Sequence, residues 1–317
     1  MNLLVTGGCG FIGSNFIRVA LDKGGVKNLV NVDKMTYAAD AENTKEFEDR
    51  SEYSHENFCL TDYDRLWETC KDSDITDIVH FAAETHVDNS IKGSKVFIQS
   101  NVVATHSILE ACKDRDIRLH HISTDEVYGE VFGDDRFSEE SHYDPKNPYS
   151  ATKAASDFLV RSYVNTYGLR ATISNCSNNY GPNQHDEKLV PTIIRSLLNN
   201  ELIPVYGQGA NVRDWIYVDD HCEAIWSILK EGKIGDTYLV GADTERTNMQ
   251  TITSICDLME RTISSSIKFV EDRAGHDLRY AIDGSKLKEE LNWKPRYTFL
   301  KGLEKTITFY KKKYNSP

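Results

Sequence analysis

Asn2-Leu3-Leu4-Val5-Thr6-Gly7-Gly8-Cys9-Gly10-Phe11-Ile12-Gly13 is the stretch that decides the fold. The apolar run Leu3-Leu4-Val5 reads as a short buried strand because it ends abruptly in glycines. Phe16, Ile17, Ala20 and Leu21 follow at helical spacing. Strand, glycine loop and helix therefore come in the order of a dinucleotide fingerprint. Gly7, Gly10 and Gly13 would let backbone N–H groups approach a pyrophosphate at a helix N-terminus. A second strand over 28–33 ends in Asp33, twenty residues beyond Gly13. A carboxylate there suits a ribose diol and repels a 2′-phosphate, which favours NAD, whereas the neighbouring Lys34 leans toward NADP.

Outward from this unit, strands and helices keep alternating. The pattern predicts a helix over 64–71, a strand over 77–83, a long helix over 95–113, a strand over 118–124 and a helix opening at Tyr149. Such alternation calls for a mainly parallel sheet covered on both faces. After a strand over 171–174 the residues 175–182 form a polar, turn-rich segment. Further on come helices over 188–198, 219–230 and 249–262, strands over 203–206, 215–218, 238–240 and 268–270, and two C-terminal helices. The expected fold is α/β: a Rossmann-type doubly wound parallel sheet, residues 1–175, with a smaller mixed α/β C-terminal lobe, residues 176–317. No Pro-rich or Gly/Ser-rich linker separates them, so the lobes should interleave, part of the chain should return to the first sheet, and substrate should lie between.

Composition sets outer bounds. With 317 residues, 39% hydrophobic and 27% charged, the chain can bury a sizeable core. A net charge of -12 argues against nucleic acid or an anionic membrane surface as the main partner. The seven cysteines are odd in number and never spaced C-x-x-C, so reduced thiols in a cytoplasmic protein are expected, with no structural metal. The first apolar run is too short for a signal peptide or a membrane span.

Chemistry gathers in Ser123-Thr124-Asp125-Glu126-Val127-Tyr128-Gly129 and Tyr149-Ser150-Ala151-Thr152-Lys153. Tyr149 and Lys153 lie one turn apart on one helix face, where an ammonium favours the phenolate and fits Tyr149 to take a hydroxyl proton. Asp125 and Glu126 end the strand before them. Two neighbouring carboxyls repel each other's charge, so one should hold a proton near neutral pH and stand beside an acceptor. Less eventful readings exist for every site: Tyr149 and Lys153 can be an ordinary helix start, and the acid pair a solvated loop. Asp62 can touch an adenine edge or cap the helix that follows it. Ala82 and Ala83 are small enough for a cofactor to pass. His86 reads as a loop histidine without a catalytic role. Arg213 and Arg273 can grip phosphates or pair with the aspartates beside them.

Together these stretches, with Asp33-Lys34-Met35-Thr36-Tyr37-Ala38, Ala82-Ala83-Glu84-Thr85-His86-Val87-Asp88, the 175–182 segment and 272–283, resemble the extended short-chain dehydrogenase/reductases. Within them the likeness is to the nucleoside-diphosphate-glucose 4,6-dehydratases, and Thr124-Asp125-Glu126 is its most discriminating part. The resemblance implies NAD held by Gly7, Gly10, Phe11, Ile12, Gly13, Asp33, Lys34, Thr36, Asp62, Ala82, Ala83, Tyr149 and Lys153, and regenerated in each turnover. It implies a nucleotide sugar held by Thr85, Asn178, Lys188, Leu189, Pro204, Tyr206, Arg213, Asn248, Arg273 and His276. Tyr149, aided by Thr124, would serve oxidation at C4. Glu126 and Asp125 would remove water across C5 and C6, Lys153 would lower the Tyr149 pKa, and a homodimer would form through the helices at 95–113 and 149–168. Residues 183–187 are more polar, and the segment before Asp272 shorter, than in the bacterial thymidine enzymes, so dTDP-glucose and UDP-glucose both stand as substrates. The alternatives are a nucleotide-sugar 4-epimerase and a non-catalytic NAD-binding sensor.

Overall fold

The computed structural model describes residues 1–271 and 278–315. Its first half alternates β1 (Asn2–Thr6), α1 (Phe11–Lys23), β2 (Asn28–Val32), β3 (Tyr53–Glu56), α2 (Tyr63–Asp72), β4 (Asp77–His80), α3 (Val87–Lys92), α4 (Lys95–Phe97), α5 (Ala104–Arg115), β5 (Arg118–Thr124), α6 (Pro148–Tyr167) and β6 (Ala171–Cys176). The second half adds β7 (Asn178–Tyr180), α7 (Leu189–Asn199), β8 (Ile203–Tyr206), β9 (Val212–Tyr217), α8 (Val218–Glu231), β10 (Thr237–Val240), β11 (Glu245–Thr247), α9 (Asn248–Leu258), β12 (Ile267–Val270), α10 (Ser285–Leu291) and α11 (Phe299–Asn315).

Seven parallel strands form one sheet in the order β10-β6-β5-β4-β1-β2-β3. All residues of β6 are buried, as befits a strand covered on both faces. On one face Phe16, Ile17 and Ala20 of α1 pack with Cys222 and Ile225 of α8. Leu66 of α2, Ile108 of α5 and Val160 of α6 cover the other. Helix α8 and strand β10 both come from beyond residue 175, so the chain returns to the first layer after leaving it. A three-stranded sheet, β11-β9-β7, and the pair β12-β8 belong to the smaller lobe. That lobe has its own core, in which Ile193, Ile252, Leu303 and Tyr310 meet.

Four local departures from the sequence pattern have physical causes. β4 ends at His80 rather than 83 because the Ala82 N–H turns to the Thr6 hydroxyl, 3.2 Å away, and draws the chain out of the sheet. The helix expected over 95–113 is interrupted by a π-helical turn, Ile98–Val103, between α4 and α5. Asn178–Tyr180 is a strand paired with Trp215–Tyr217, not a simple turn. β3 and β11 were not anticipated: Tyr53-Ser54-His55-Glu56 at the sheet edge and Glu245-Arg246-Thr247 lack apolar alternation and are held by their ladders.

Candidate active site

The strand order reverses between β1 and β4, the switch point outside whose carboxyl ends open α/β sheets bind ligands. The loops after β1, β2, β4, β5 and β6 open there into a cleft of about 320 Å³.

On one side the backbone is built for close approach. Gly7 has φ +71°, and a Cβ on it would stand 2.7 Å from the Ala82 nitrogen; a Cβ on Gly13 would stand 2.3 Å from the Gly7 carbonyl. Helix α1 begins after Gly10 with no side-chain cap and no acidic residue in its first turn, leaving its N-terminal N–H groups to an anion. The glycine loop, the bare helix end and Asp33 therefore fit a dinucleotide. Asp33 is oriented by the N–H groups of Cys9, 3.0 Å, and Met35, 2.9 Å, while burial pushes its pKa up. Lys34 donates to Ser100 Oγ at 2.7 Å and lies 4.0 Å from Glu84, so its ammonium is engaged on the cleft wall. Gly10, Phe11, Ile12, Thr36, Ala82 and Ala83 line the same cleft. Asp62 lies outside that lining: its carboxylate accepts the Arg65 N–H at 3.3 Å and caps α2.

On the other side stand the reactive groups. Asn147 caps α6 by accepting the Ser150 N–H at 2.9 Å, and Ser150 Oγ returns a bond to the Asn147 N–H; Pro148 occupies the first turn. This start places Tyr149 and, one turn later, Lys153 in the cleft. Thr124 caps the short 3₁₀ turn Asp125–Tyr128 by accepting the Glu126 N–H at 3.3 Å, which sets both carboxyls beside Tyr149. Asp125 is 2% exposed and one of its oxygens has no hydrogen-bond partner. Burial first, and then the charge of Glu126, hold its pKa well above the usual carboxylate range, while Arg213 pulls the other way. Burial and the Glu126 charge both favour the neutral form of Asp125.

Lys153 is not among the groups that act most strongly on the Tyr149 phenol. Burial and the charge of Glu126 push the phenol well up, and the relief comes from the Thr124 hydroxyl. Lys153 Nζ instead donates to the Ile122 carbonyl at 2.7 Å, and burial lowers its pKa to about 8.

Of the residues expected to hold substrate, Thr85, Asn178 and Lys188 line the cleft. Leu189 at the start of α7, Pro204 and Tyr206 on β8, Arg213 on β9 and Asn248 at the start of α9 lie in the second lobe outside this lining. The Arg213 guanidinium sits 4.3 Å over the Tyr280 ring and donates to the Val212 carbonyl at 2.7 Å. Asp214 turns its carboxylate to the N–H groups of Ala242 and Thr244. Arg273 and His276 lie outside the described residues. Sequence reading missed Glu84, Ser100, Gln184, His185 and Glu187, which also line the cleft. They come from loops and a π-turn that meet only across the fold. Glu187 stands 3.3 Å from His86 Nε2 and accepts from Tyr37 at 3.4 Å, joining segments of both halves of the chain.

A doubly wound sheet, a glycine-lined dinucleotide cleft and a Tyr/Lys pair on the helix after β5 define an extended short-chain dehydrogenase/reductase. The family model described as GDP-mannose 4,6 dehydratase matches residues 4–306. The chain is 50% identical to the dTDP-glucose 4,6-dehydratase of Mycolicibacterium smegmatis over 98% of its own length and 93% of that protein's. It is 48% identical to the enzyme of that name from Mycobacterium tuberculosis, over 98% and 93%. The crystal structure of the dTDP-glucose 4,6-dehydratase of Streptomyces venezuelae with NAD and TYD bound superposes with a TM-score of 0.95 at 40% identity, covering 98% of this chain and 97% of that one. The chain belongs to the dTDP-glucose 4,6-dehydratase family.

Proposed function

We propose that the protein is an NAD-dependent lyase that converts dTDP-glucose to its 4-keto-6-deoxy derivative and water. The observation that carries this is the buried Asp125 beside Glu126 and Tyr149 in one cleft: hydride transfer alone has no use for a buried carboxyl next to a second one. NAD, when bound, supplies a hydride acceptor for C4, a hydride donor for C6 and the positive ring charge that the buried phenol lacks. Tyr149, hydrogen-bonded by Thr124, takes the C4 hydroxyl proton. The 4-ketone acidifies C5–H, and Glu126 removes that proton as Asp125 delivers its own to the C6 hydroxyl, which departs as water. Glu126 then returns a proton to C5. The redox change is internal, so the cofactor stays bound between turnovers.

The thymidine reading rests on the names and identities of the relatives. Mass spectrometry of the protein incubated separately with dTDP-glucose, UDP-glucose, GDP-mannose and CDP-glucose tests it. Loss of one water is expected first from dTDP-glucose. A product of unchanged mass would mean epimerisation, and fastest loss from UDP-glucose would reassign the base. Thr85, Asn178, Lys188, Leu189, Pro204, Tyr206, Arg213 and Asn248, with Arg273 and His276, are the proposed substrate contacts.

A homodimer through α4–α5 and α6 is supported by the exposed apolar side chains of Val96, Ile98, Val103, Phe158 and Tyr167, which are 43–57% accessible. Sedimentation at micromolar concentration would decide it. Seven free cysteines support a reducing, cytoplasmic location. Among the described residues no helix is long and apolar enough to cross a membrane.

A further inference from the structure

One turn beyond Lys153 on α6, Asp157 is completely buried. Its Oδ2 accepts from Ser123 Oγ of β5 at 2.8 Å, from the Tyr143 hydroxyl at 2.9 Å and from Asn175 Nδ2 of β6 at 3.2 Å. His121 Nε2, on β5, stands 3.3 Å from Oδ1. Three segments, β5, the β5–α6 connection and β6, therefore converge on a single carboxylate of α6. Asn175 Nδ2 also donates to the Thr124 carbonyl at 3.1 Å, which links this carboxylate to the strand end that presents the acid pair.

We propose that Asp157 is a positioning residue of the reaction, acting through Lys153: its buried carboxylate, fixed by groups from β5, β6 and the β5–α6 connection, is the counter-charge of the Lys153 ammonium one helical turn away. The proposal rests on the reading of Lys153 as a working ammonium in a dehydratase.

The surroundings fit. Residues at i and i+4 share a helix face, so Asp157 lies beside Lys153. Burial works against the Asp157 carboxylate, but His121 first, then the Lys153 charge and the Ser123 hydroxyl, bring its pKa below the ordinary value; its charge is in turn the first influence that raises the Lys153 pKa against desolvation, followed by Cys176. The other ionisable groups around the pair come from each neighbouring element: Tyr149 on α6, His121 on β5, His80 on β4, Tyr128 and Tyr143 on the β5–α6 connection, and Arg161, which donates to Tyr143 at 2.9 Å. Burial holds His80 and His121 below their ordinary pKa, and an imidazole, neutral or cationic, cannot replace the negative charge of Asp157. Removal of the anion leaves Lys153 buried against a carbonyl with its principal counter-charge gone.

The test is a pH titration of Lys153 Nζ by ¹⁵N NMR of the lysine-labelled holoenzyme, run beside the pH profile of NADH formation with dTDP-glucose. In Asp157→Asn the Lys153 titration and the alkaline limb of the profile should both move to lower pH by about one unit or more. Tyr143→Phe, which removes a hydrogen bond but keeps the charge, should leave both at or above their wild-type positions. An unmoved Lys153 titration in folded Asp157→Asn would overturn the proposal. So would a downward move in Tyr143→Phe, which decides the matter if Asp157→Asn does not fold. The NMR arm needs no turnover, so a wrong substrate assignment would silence the NADH arm and leave the titration intact.

Discussion

Asn101 grips the backbone of Glu84 from both sides: its Oδ1 accepts the Glu84 N–H at 2.8 Å and its Nδ2 donates to the Glu84 carbonyl at 3.0 Å. Nδ2 also reaches Thr152 on α6, 2.9 Å away. This one amide, carried on the π-turn, fixes the loop after β4 against the catalytic helix. Asn101→Ala would strand both Glu84 groups and should cost about 2–4 kcal/mol, with loss of bound NAD from the purified protein. A thermal melt together with the absorbance of released cofactor would check it. A fully loaded variant with unchanged melting would mean that Asn101 does not hold the loop.

Asp125 should trade stability for chemistry. Its folded pKa lies above the ordinary 3.8, so the native state prefers the proton. Its contribution is favourable below about pH 4 and is lost as pH rises toward the folded value. Asp125→Asn should therefore melt about 2–4 °C higher near neutral pH and no higher at pH 4, while dehydration falls at least 100-fold. Melting curves at the two pH values and water loss by mass spectrometry would separate these effects. A lower melting temperature at pH 7 would contradict the assignment of the proton to Asp125.

Glu126→Gln should abolish deuterium uptake at C5 from D₂O and leave NADH formation on mixing with substrate. The two steps use different groups, and NMR of the sugar with stopped-flow absorbance at the NADH band reads them apart. Undiminished uptake at C5 would remove Glu126 as the base.

Tyr149→Phe should do the opposite and stop NADH formation, with substrate still bound. Appreciable reduction of the cofactor in that variant would assign the first proton transfer elsewhere.

Gly13→Ala should yield protein free of NAD, because the new methyl would lie 2.3 Å from the Gly7 carbonyl, at the turn that shapes the anion site. Full cofactor content after purification would show that the loop can shift without loss of the site.

Much of the fold was legible because burial leaves period and punctuation in a sequence. β1, β5 and β6 are apolar on both faces or end in recognisable residues, and α6 carries its own start signal in Asn147 and Pro148. The polar edge strand β3 had no such signature, since its pairing partner supplies what its side chains do not. Lys34 and Asp62 illustrate the same limit: Lys34, read as a cofactor contact, is engaged by Ser100, remote in sequence, and Asp62, which had both a cap and a ligand reading, caps α2.

From the sequence alone came the order of strand, glycine loop and helix, the Tyr149/Lys153 spacing and the adjacency of Asp125 and Glu126, all properties of residues within a turn or two of each other. Only the tertiary structure decided that Asp125 is buried, that Lys153 faces a carbonyl, and that β5, β6 and the β5–α6 connection close around Asp157. Those depend on desolvation and on groups brought together from β4, β5, β6 and α6, and no local pattern records which charges the fold will seal away from water.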